Sequence, residues 1–457
     1  MTQHYDAIII GAGQAGFPLA GKLAGELGWH TALIEKDKLG GTCVNYGCTP
    51  SKTLIASARA AHIARRGADF GVVIPGEIQI NWETVQARRR KVVGSSRDGL
   101  NEWLGGLDKL DIIRGEARFT GPHEIDVNGQ TLSSEKIFIN TGAHPHIPDI
   151  DGVQDVPFLT NESLLEIDAI PEHLIIIGGS YIGLELGQAF RRFGSQVTIV
   201  EMSDRLIKRE DPEISEAVRG IMEAEGIGIR TNAECISLSQ GADGQIVAGL
   251  DCAEPEKQVI GSHVLLATGR RPNSDIGLDA AGLEVDKRNQ IVINDKLETS
   301  VPGVWALGDV NGHGAFTHTS VNDWEVLDNI LFGDGTARVD DRIMTYALYI
   351  DPPLGRVGLT ETQARDQGYE VLTASKPMSS VSRAIEMDET EGLMKFVVDA
   401  KTQRFLGAAI LGIKGDEIVG SVTNLMYADA PYTVFANAMH PHPTVTELIP
   451  YTLRELS

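Results

Sequence analysis

The feature that most constrains this chain is a pattern of strand, glycine-rich loop and helix that occurs twice. Residues 7–10 are four consecutive apolar side chains, typical of a strand buried on both faces. The loop that follows has a G-x-G-x-x-G spacing, with its glycines at Gly11, Gly13 and Gly16. A helix-compatible stretch to Leu27 and a second apolar run at 31–34 then lead to Glu35. This order predicts a βαβ unit whose loop binds a pyrophosphate and whose acid binds a ribose hydroxyl.

The second copy of the pattern lies near the middle of the chain. An apolar run at 174–177 precedes Gly178, and after Gly183 a helical stretch to Phe193 and a strand at 196–200 lead to an acid, Glu201. The middle glycine is replaced by Ser180, which adds a side chain where a pyrophosphate would approach. Each unit is closed by an apolar strand that ends in Thr-Gly, at Thr141-Gly142 and Thr268-Gly269. We therefore predict an α/β fold with two Rossmann-like units and two nucleotides per chain.

Two of the four cysteines, Cys43 and Cys48, lie close together in the sequence Gly-Gly-Thr-Cys-Val-Asn-Tyr-Gly-Cys-Thr-Pro-Ser-Lys. Pro50 suits a first helical turn, which predicts Cys48 near a helix N-terminus where the macrodipole favours a thiolate. A turn can bring the two Cα atoms within the bridging distance of about 7 Å. The spacing also permits metal ligation, but a zinc site needs further ligands, so we predict a redox pair and no resident metal. Cys235 and Cys252 are predicted to be inert.

Composition narrows the class of protein. The formal net charge of −23 disfavours nucleic acid and anionic membranes as partners. No apolar stretch of about 18 residues is present, and no signal peptide is readable at the start. The length of the chain, 457 residues, suits about three domains. We expect a cytoplasmic multidomain enzyme.

The cysteine motif resembles the active-site signature of the pyridine nucleotide-disulfide oxidoreductases, which include dihydrolipoamide dehydrogenase, glutathione reductase and mercuric reductase. Further landmarks of that family follow in its usual order: Ala-Thr-Gly-Arg-Arg-Pro-Asn at 267–273, Ala-Leu-Gly-Asp at 306–309, Asp-Pro-Pro at 351–353 and Val-Gly-Leu-Thr-Glu at 357–361. The resemblance covers nearly the whole chain. It implies FAD and a nicotinamide cofactor, a C-terminal α+β dimerisation domain, and a homodimer.

The resemblance also implies the site residues. Those expected to bind FAD are Gly11, Gly13, Gly16, Glu35, Lys36, Thr42, Lys52, Ala117, Thr141, Gly142, Asp309, Thr317 and His318. Those expected to bind NAD(P) are Gly178, Ser180, Tyr181, Gly183, Glu201 and Gly269. The implied catalytic residues are Cys43, Cys48, Lys52, Glu185, His442 and Glu447. The implied domains are 1–145 and 271–340 for FAD, 146–270 for NAD(P), and 341–457 for the subunit interface.

Several implied roles are specific. Lys52 and Glu185 resemble the family's ion pair beside flavin N5, and Tyr181 resembles its aromatic gate over the nicotinamide pocket. His442 with Glu447 resembles the His-Pro-Thr-x-x-Glu dyad, which in the family serves the cysteine pair of the other subunit. His440 is expected to shape the loop, with a His-x-His metal contact as the alternative.

The electron acceptor stays open at this point. The chain resembles a bacterial subgroup called mercuric reductase-like and the reactive-chlorine resistance flavoproteins, but it has no cysteine after Cys252 to relay mercury. A disulfide or metal-ion acceptor is expected; dihydrolipoamide dehydrogenase proper, a mercuric, cupric or quinone reductase, and a redox-sensing flavoprotein are the alternatives. Glu201 favours NADH over NADPH. The nearby loop could instead bind a 2′-phosphate through three cations, Arg205, Lys208 and Arg209.

Overall fold

The computed structural model describes residues 2–241, 243–252 and 255–457. Its strands are β1 (Gln3–His4), β2 (Ala7–Ile10), β3 (Thr31–Glu35), β4 (Leu110–Arg114), β5 (Ala117–Gly121), β6 (Glu124–Val127), β7 (Gln130–Ser133), β8 (Ile137–Ile139), β9 (Ala143–Pro145), β10 (Phe158–Leu159), β11 (His173–Ile177), β12 (Gln196–Val200), β13 (Gly228–Arg230), β14 (Glu234–Gln240), β15 (Ile246–Asp251), β16 (Gln258–Gly261), β17 (His263–Leu266), β18 (Arg270–Pro272), β19 (Val304–Ala306), β20 (Thr345–Leu348), β21 (Leu354–Gly358), β22 (Val371–Pro377), β23 (Leu393–Asp399) and β24 (Phe405–Leu411).

The α-helices are α1 (Gly16–Ala20), α2 (Gly41–Asn45), α3 (Cys48–Arg65), α4 (Trp82–Gly105), α5 (Asn161–Leu164), α6 (Tyr181–Phe193), α7 (Pro212–Ala224), α8 (Leu278–Ala281), α9 (Thr317–Phe332), α10 (Glu361–Asp366), α11 (Ser382–Glu386), α12 (Gly415–Tyr427), α13 (Tyr432–Asn437) and α14 (Ile449–Leu453). Within the described residues, no helix is long and apolar enough to cross a membrane.

The first parallel sheet contains the strands predicted for the first unit, in the order β19-β8-β2-β3-β4. Both faces of β2 are buried, as its apolar run predicts. Ile9 packs in one core with Leu19 of α1 and Leu327 of α9, whereas Ile8 packs on the other face with Phe119 and Ile125 of a small mixed sheet. The predicted strands at 7–10 and 31–34 are confirmed, and β3 includes Glu35 at its carboxyl end, whereas the closing strand β8 ends at Ile139 and not at Thr141-Gly142 as predicted.

The second parallel sheet repeats this arrangement, in the order β10-β17-β11-β12-β13. The predicted strand at 196–200 and the predicted helix end at Phe193 are confirmed. In the first unit, the helical stretch to Leu27 consists of α1 followed by a π-helical segment, Gly21–Glu26. The Rossmann-like architecture of both units is therefore as the sequence predicts.

Helix α3 brings the cysteine motif to the second unit. It begins at Cys48, as Pro50 predicts, and its apolar residues Leu54 and Ala58 share a core with Leu184 and Phe190 of α6. Because α6 follows the second glycine loop directly, the cysteine pair and that loop face the same space.

The C-terminal part is built on an antiparallel sheet, in the order β20-β21-β24-β23-β22. Helix α12 covers it, with Val419 and Val422 in the same core as Phe396 and Ala408 of the sheet. This mixed α+β layer agrees with the predicted class of the C-terminal domain.

Candidate active site

The two glycine loops have the same geometry. Gly11 and Gly178 adopt φ angles of +100° and +115°, which side chains rarely tolerate. A Cβ atom on Gly11 would lie 2.3 Å from the carbonyl oxygen of Asn140, and one on Gly178 would lie 2.4 Å from that of Ala267. Both positions therefore require glycine, because each loop turns tightly against the strand beside it.

The last glycine of each loop allows the helix to approach its own loop. A Cβ atom on Gly16 would lie 2.1 Å from the Gly11 carbonyl oxygen, and one on Gly183 would lie 2.1 Å from the Gly178 carbonyl oxygen. These glycines act in packing, which agrees with their place beneath the ligand cleft rather than on its surface.

The acids at the ends of β3 and β12 are held in the same way. Glu35 accepts hydrogen bonds from the backbone N–H groups of Ala12, at 2.9 Å, and Asp37, at 2.8 Å. Glu201 accepts from the N–H groups of Gly179 and Ser203, both at 2.7 Å. Each carboxylate is thus fixed beside its glycine loop, where a ribose would be bound in the predicted units.

One cleft of about 1590 Å³ runs along both loops. Single small-molecule sites typically measure about 300–1,000 Å³, so this cleft has room for more than one such ligand. Of the residues expected at the two nucleotides, it is lined by Gly11, Gly13, Glu35, Lys36, Thr42, Lys52, Ala117, Thr141, Gly142, Asp309, Thr317, His318, Gly178, Ser180, Tyr181, Glu201 and Gly269. Glycine cradles, fixed acids and cleft size together fit FAD and a nicotinamide nucleotide.

The cysteine pair lies in this cleft as two thiols. A hydrogen bond from Cys43, with smaller contributions from Thr317 and the charge of Lys52, lowers the pKa of Cys48 to about 5. The Sγ of Cys48 lies 3.3 Å from the Oγ1 of Thr317. The same thiol hydrogen bond, together with burial, raises the pKa of Cys43. Cys48 is therefore the thiolate of the reduced pair, and the neighbouring thiol contributes more to this than the sequence alone indicates.

A buried ion pair lies next to the thiols. Lys52 donates to the carboxylate of Glu185 over 2.6 Å, and Glu185 is almost fully buried. The second Glu185 oxygen accepts the backbone N–H of Tyr349 at 2.9 Å, and the Lys52 ammonium lies 4.8 Å from the centre of the Tyr349 ring. The lysine thus has a fixed position on the wall of the cleft.

Asp309 and Arg270 both line the cleft, and their charges interact. Burial raises the pKa of Asp309, and the charge of Arg270 opposes that shift. Arg270 also donates to the backbone carbonyl oxygen of Ala143. In the sequence, Arg270 is notable only as part of the Ala-Thr-Gly-Arg-Arg-Pro-Asn motif at 267–273. In the structure, it lines the cleft.

The C-terminal dyad forms, but away from this cleft. Nδ1 of His442 lies 3.0 Å from both carboxylate oxygens of Glu447. The His442 side chain is 74% exposed, while Glu447 is 17% exposed. His440 instead stacks on Phe435 and contacts its carbonyl oxygen, which agrees with a role in loop shape. Within one chain, therefore, the imidazole does not join the thiols.

The sequence match to known families decides what these features belong to. The family described as "Pyridine nucleotide-disulphide oxidoreductase" matches residues 5–324, and its dimerisation domain matches residues 344–452.

The chain belongs to the class I pyridine nucleotide-disulfide oxidoreductases. It is an oxidoreductase of a family that binds FAD and NAD(P), and it carries that family's dimerisation domain.

Relatives within the family differ in their named activities. RclA of Escherichia coli is 35% identical over 97% of both chains. A mercuric reductase of Lysinibacillus sphaericus is 34% identical over 97% of this chain and 81% of its own length. A dihydrolipoyl dehydrogenase of Thermus scotoductus is 34% identical over 97% and 95%. The solved Cu(II) complex of Escherichia coli RclA, described as an HOCl-induced flavoprotein disulfide reductase, has a TM-score of 0.89 and 33% identity over all of both chains.

The structure adds cleft residues that sequence reasoning missed in this oxidoreductase. Asn140 accepts the N–H of Gly16 at 3.0 Å and donates to the Leu307 carbonyl oxygen at 2.8 Å. It thereby connects the first glycine loop to the segment that follows β19. Its position directly after a buried parallel strand was the available signal, because ligands bind at the carboxyl ends of such strands. Phe316 and Tyr349 also line the cleft, and nothing local in the sequence indicates it.

Proposed function

We propose that this protein passes electrons from NAD(P)H through FAD and the Cys43–Cys48 pair to a disulfide or metal-ion acceptor. The observation that carries the proposal is the thiol pair in the two-nucleotide cleft, with the pKa of Cys48 lowered to about 5 by its hydrogen bond from Cys43. A low-pKa thiolate beside a second thiol is the arrangement of a reversible dithiol–disulfide centre. The proposed domains are 1–145 with 271–340 for FAD, 146–270 for NAD(P) and 341–457 for the interface.

The residues of the chain have separate tasks in this proposal. FAD, when bound, accepts hydride from the nicotinamide and supplies the electron pair that reduces the cysteine disulfide. Lys52, fixed by Glu185, places a positive charge beside the thiols. The hydrogen bond from Cys43, supported by Thr317 and the charge of Lys52, lowers the pKa of Cys48, so this sulfur can hold negative charge at the cleft wall. Asp309 and the glycine loops bind and orient the cofactors.

The acceptor step then uses Cys43 as the attacking thiol. His442 takes the proton of Cys43, the resulting thiolate attacks one sulfur of the substrate disulfide, and the protonated His442 gives that proton to the leaving thiolate. Cys48 next attacks the sulfur of Cys43, so the second substrate thiolate leaves and takes a proton from the medium. The substrate has gained two electrons and two protons, and the cysteine pair has become a disulfide.

This step needs a base beside Cys43 that can also protonate the leaving thiolate. The pKa of Cys43 is raised, so it needs help to lose its proton, and His442 of the same chain lies outside the cleft. We therefore propose a homodimer in which the partner subunit's His442, oriented by Glu447, reaches Cys43. Large apolar side chains near the dyad are exposed, as an interface would require: Val434 at 50%, Met439 at 98% and Tyr451 at 55%.

A disulfide is the first acceptor to test, because the dyad suited to protonating a leaving thiolate is intact. A metal ion is the second candidate, since the similar Escherichia coli structure is a Cu(II) complex. NADH is proposed as the preferred donor, with NADPH as the alternative.

A panel of acceptors tests the proposal: lipoamide, glutathione disulfide, cupric and mercuric ions, and quinones, each followed by NADH oxidation. We expect Cys43→Ser and Cys48→Ser to lose disulfide reduction while retaining FAD, whereas Cys235→Ser retains both. Anaerobic reduction should expose two additional thiols in the wild type and none in either cleft variant. Disulfide or metal turnover that survives both cleft substitutions would refute the proposal.

A further inference from the structure

We propose that Tyr346 and Glu210 are positioning residues that hold the ring of Tyr181 in the cleft and thereby set the affinity for the nicotinamide nucleotide. The inference rests on the proposed function, which places that nucleotide at the second glycine loop. Tyr346 lies on β20 of the C-terminal part, whereas Tyr181 begins α6 directly after the loop. The proposal thus links nicotinamide binding to a residue outside both nucleotide-binding units.

Two stacked rings form a wall for Tyr181. The rings of Phe316 and Tyr346 lie nearly parallel, with centroids 5.4 Å apart and an interplanar angle of 10°. The Tyr181 ring meets both edge-on, at 5.8 Å from Tyr346 and 6.0 Å from Phe316. Edge-to-face contact is a favoured aromatic geometry, so the wall specifies both the position and the tilt of the Tyr181 ring.

A buried carboxylate fixes the hydroxyl side of the wall. Tyr346 donates to Oε1 of Glu210 over 2.7 Å, and the Tyr181 hydroxyl lies 3.5 Å from the same oxygen. Glu210 is 2% exposed, and its other oxygen lies 3.8 Å from the guanidinium of Arg356, which is fully buried. Because a buried charge that leaves its partners pays a large desolvation cost, Glu210 is a fixed anchor.

The remaining side of the Tyr181 ring is covered by Arg209, whose guanidinium lies 5.3 Å from the ring centre. The ring is therefore enclosed by the wall, the anchor and a cation, while it also lines the cleft. A nicotinamide that enters this part of the cleft has to displace it. Weakening the contacts of Glu210 lowers the free energy needed to displace the Tyr181 ring. Such a change should therefore strengthen nucleotide binding.

Tyr346→Phe tests this, because it removes the hydroxyl and keeps the stacked ring. We expect the Kd of NAD⁺ for the FAD-loaded enzyme, measured by calorimetry, to fall about tenfold, since one hydrogen bond to a buried charge has about that effect. The KM for NADH should fall with it, while kcat for disulfide reduction stays unchanged. Glu210→Gln, which removes the charge, should change the Kd in the same direction. Tyr427→Phe is the control, because that hydroxyl accepts the Ile343 N–H elsewhere in the C-terminal part.

The decisive arm repeats Tyr346→Phe in a Tyr181→Ala background. If Tyr346 acts through the Tyr181 ring, its substitution no longer changes the Kd there. An unchanged Kd in the single variant, or a change that persists without Tyr181, overturns the inference and leaves the proposed function standing. If Tyr181→Ala alone leaves NAD⁺ binding unchanged, the placement of the nicotinamide in the proposed function is wrong, and the inference fails with it.

Discussion

At the scale of single residues, the redox chemistry depends on which of the two thiols, Cys43 or Cys48, is deprotonated in the reduced pair. Cys48 is deprotonated because Cys43 donates a hydrogen bond to it and because Thr317 and Lys52 add to this effect. Burial and the charge of Glu185 act in the opposite direction. The contacts that lower the pKa of Cys48 prevail, so Cys48 rather than Cys43 carries the negative charge of the reduced pair.

Removing the donor should reverse this. In Cys43→Ala, we expect the pKa of Cys48 to rise from about 5 toward the ordinary thiol value of 9.0, because the largest stabilising contact is gone. Alkylation of Cys48 in the reduced protein, followed by peptide mass spectrometry across pH, measures this directly. At neutral pH the variant should react more slowly, whereas the Cys235→Ala control should match the wild type. A midpoint that stays near the wild-type value in Cys43→Ala would show that Thr317, Lys52 and the helix N-terminus set the pKa of Cys48 without Cys43.

The sequence could predict part of this chemistry. The pair and the helix that begins at Cys48 follow from local residues, because Pro50 and the glycines act within one turn. The contact with Thr317 joins residues 269 positions apart, so no local pattern contains it. For the same reason the proposed roles of Tyr346 and Glu210 become visible only in the folded chain.

At the scale of elements, the chain uses one strand-loop-helix unit twice. The last glycine of each loop controls how closely the helix packs on its strand. We expect Gly16→Ala to lose FAD and to lower the free energy of unfolding by about 1–3 kcal/mol, because overpacking a tight site costs that much. FAD content and denaturant unfolding of the FAD-free protein measure the two effects. Gly220→Ala is the matched control: Gly220 lies within α7 with no atom near the added Cβ, so stability should rise by about 0.5–1 kcal/mol. Full FAD retention in Gly16→Ala would contradict the packing role.

The end of β12 determines the expected preference for NADH. Glu201 is held by two backbone N–H groups, and a carboxylate there would repel a 2′-phosphate by roughly 4 kcal/mol at about 4 Å and an effective dielectric near 20. The loop cations are already engaged, because Arg205 and Lys208 contact Asp204 and Arg209 covers Tyr181.

We therefore expect kcat/KM to favour NADH at least about tenfold, a difference of about 1.4 kcal/mol that still allows for solvent screening. Glu201→Ala should narrow the preference, and Glu216→Ala, an exposed acid on α7, should not. A wild-type preference for NADPH that disappears in Arg205→Ala would show that the loop selects the nucleotide.

The boundaries of the elements were more predictable than the contacts between them. The pattern of apolar residues and the turn residues that flank it predicted the strands at 7–10 and 196–200, because a strand buried on both faces has a continuous apolar run. The π-helical segment Gly21–Glu26 had no signal, because its residues are also compatible with an ordinary helix. The packing of α3 on α6, which brings the thiols to the second unit, depends on tertiary contacts alone.

At the scale of the whole molecule, the proposed acceptor step joins residues of two chains. The thiols lie in the cleft, and the His442–Glu447 dyad lies on an exposed surface of the same chain. We expect His442→Ala to slow disulfide turnover by about 100-fold to 10,000-fold, the usual contribution of general acid–base catalysis. Reduction of FAD by NADH, followed by stopped-flow absorbance, should be unchanged. Loss of both half-reactions would point to a structural role for His442 instead.

The most direct test of a shared redox site is complementation between two inactive variants, Cys43→Ser and His442→Ala. Pure Cys43→Ser should lack disulfide turnover, and pure His442→Ala should retain about 1% of it or less, because every site misses one of the two groups. After the subunits are mixed and exchanged, each hybrid dimer has one site with Cys43 from one chain and His442 from the other. We expect disulfide-reductase activity to reappear in the isolated hybrid, at the level of one active site per dimer. If the hybrid forms and stays as inactive as its parents, the shared site is wrong.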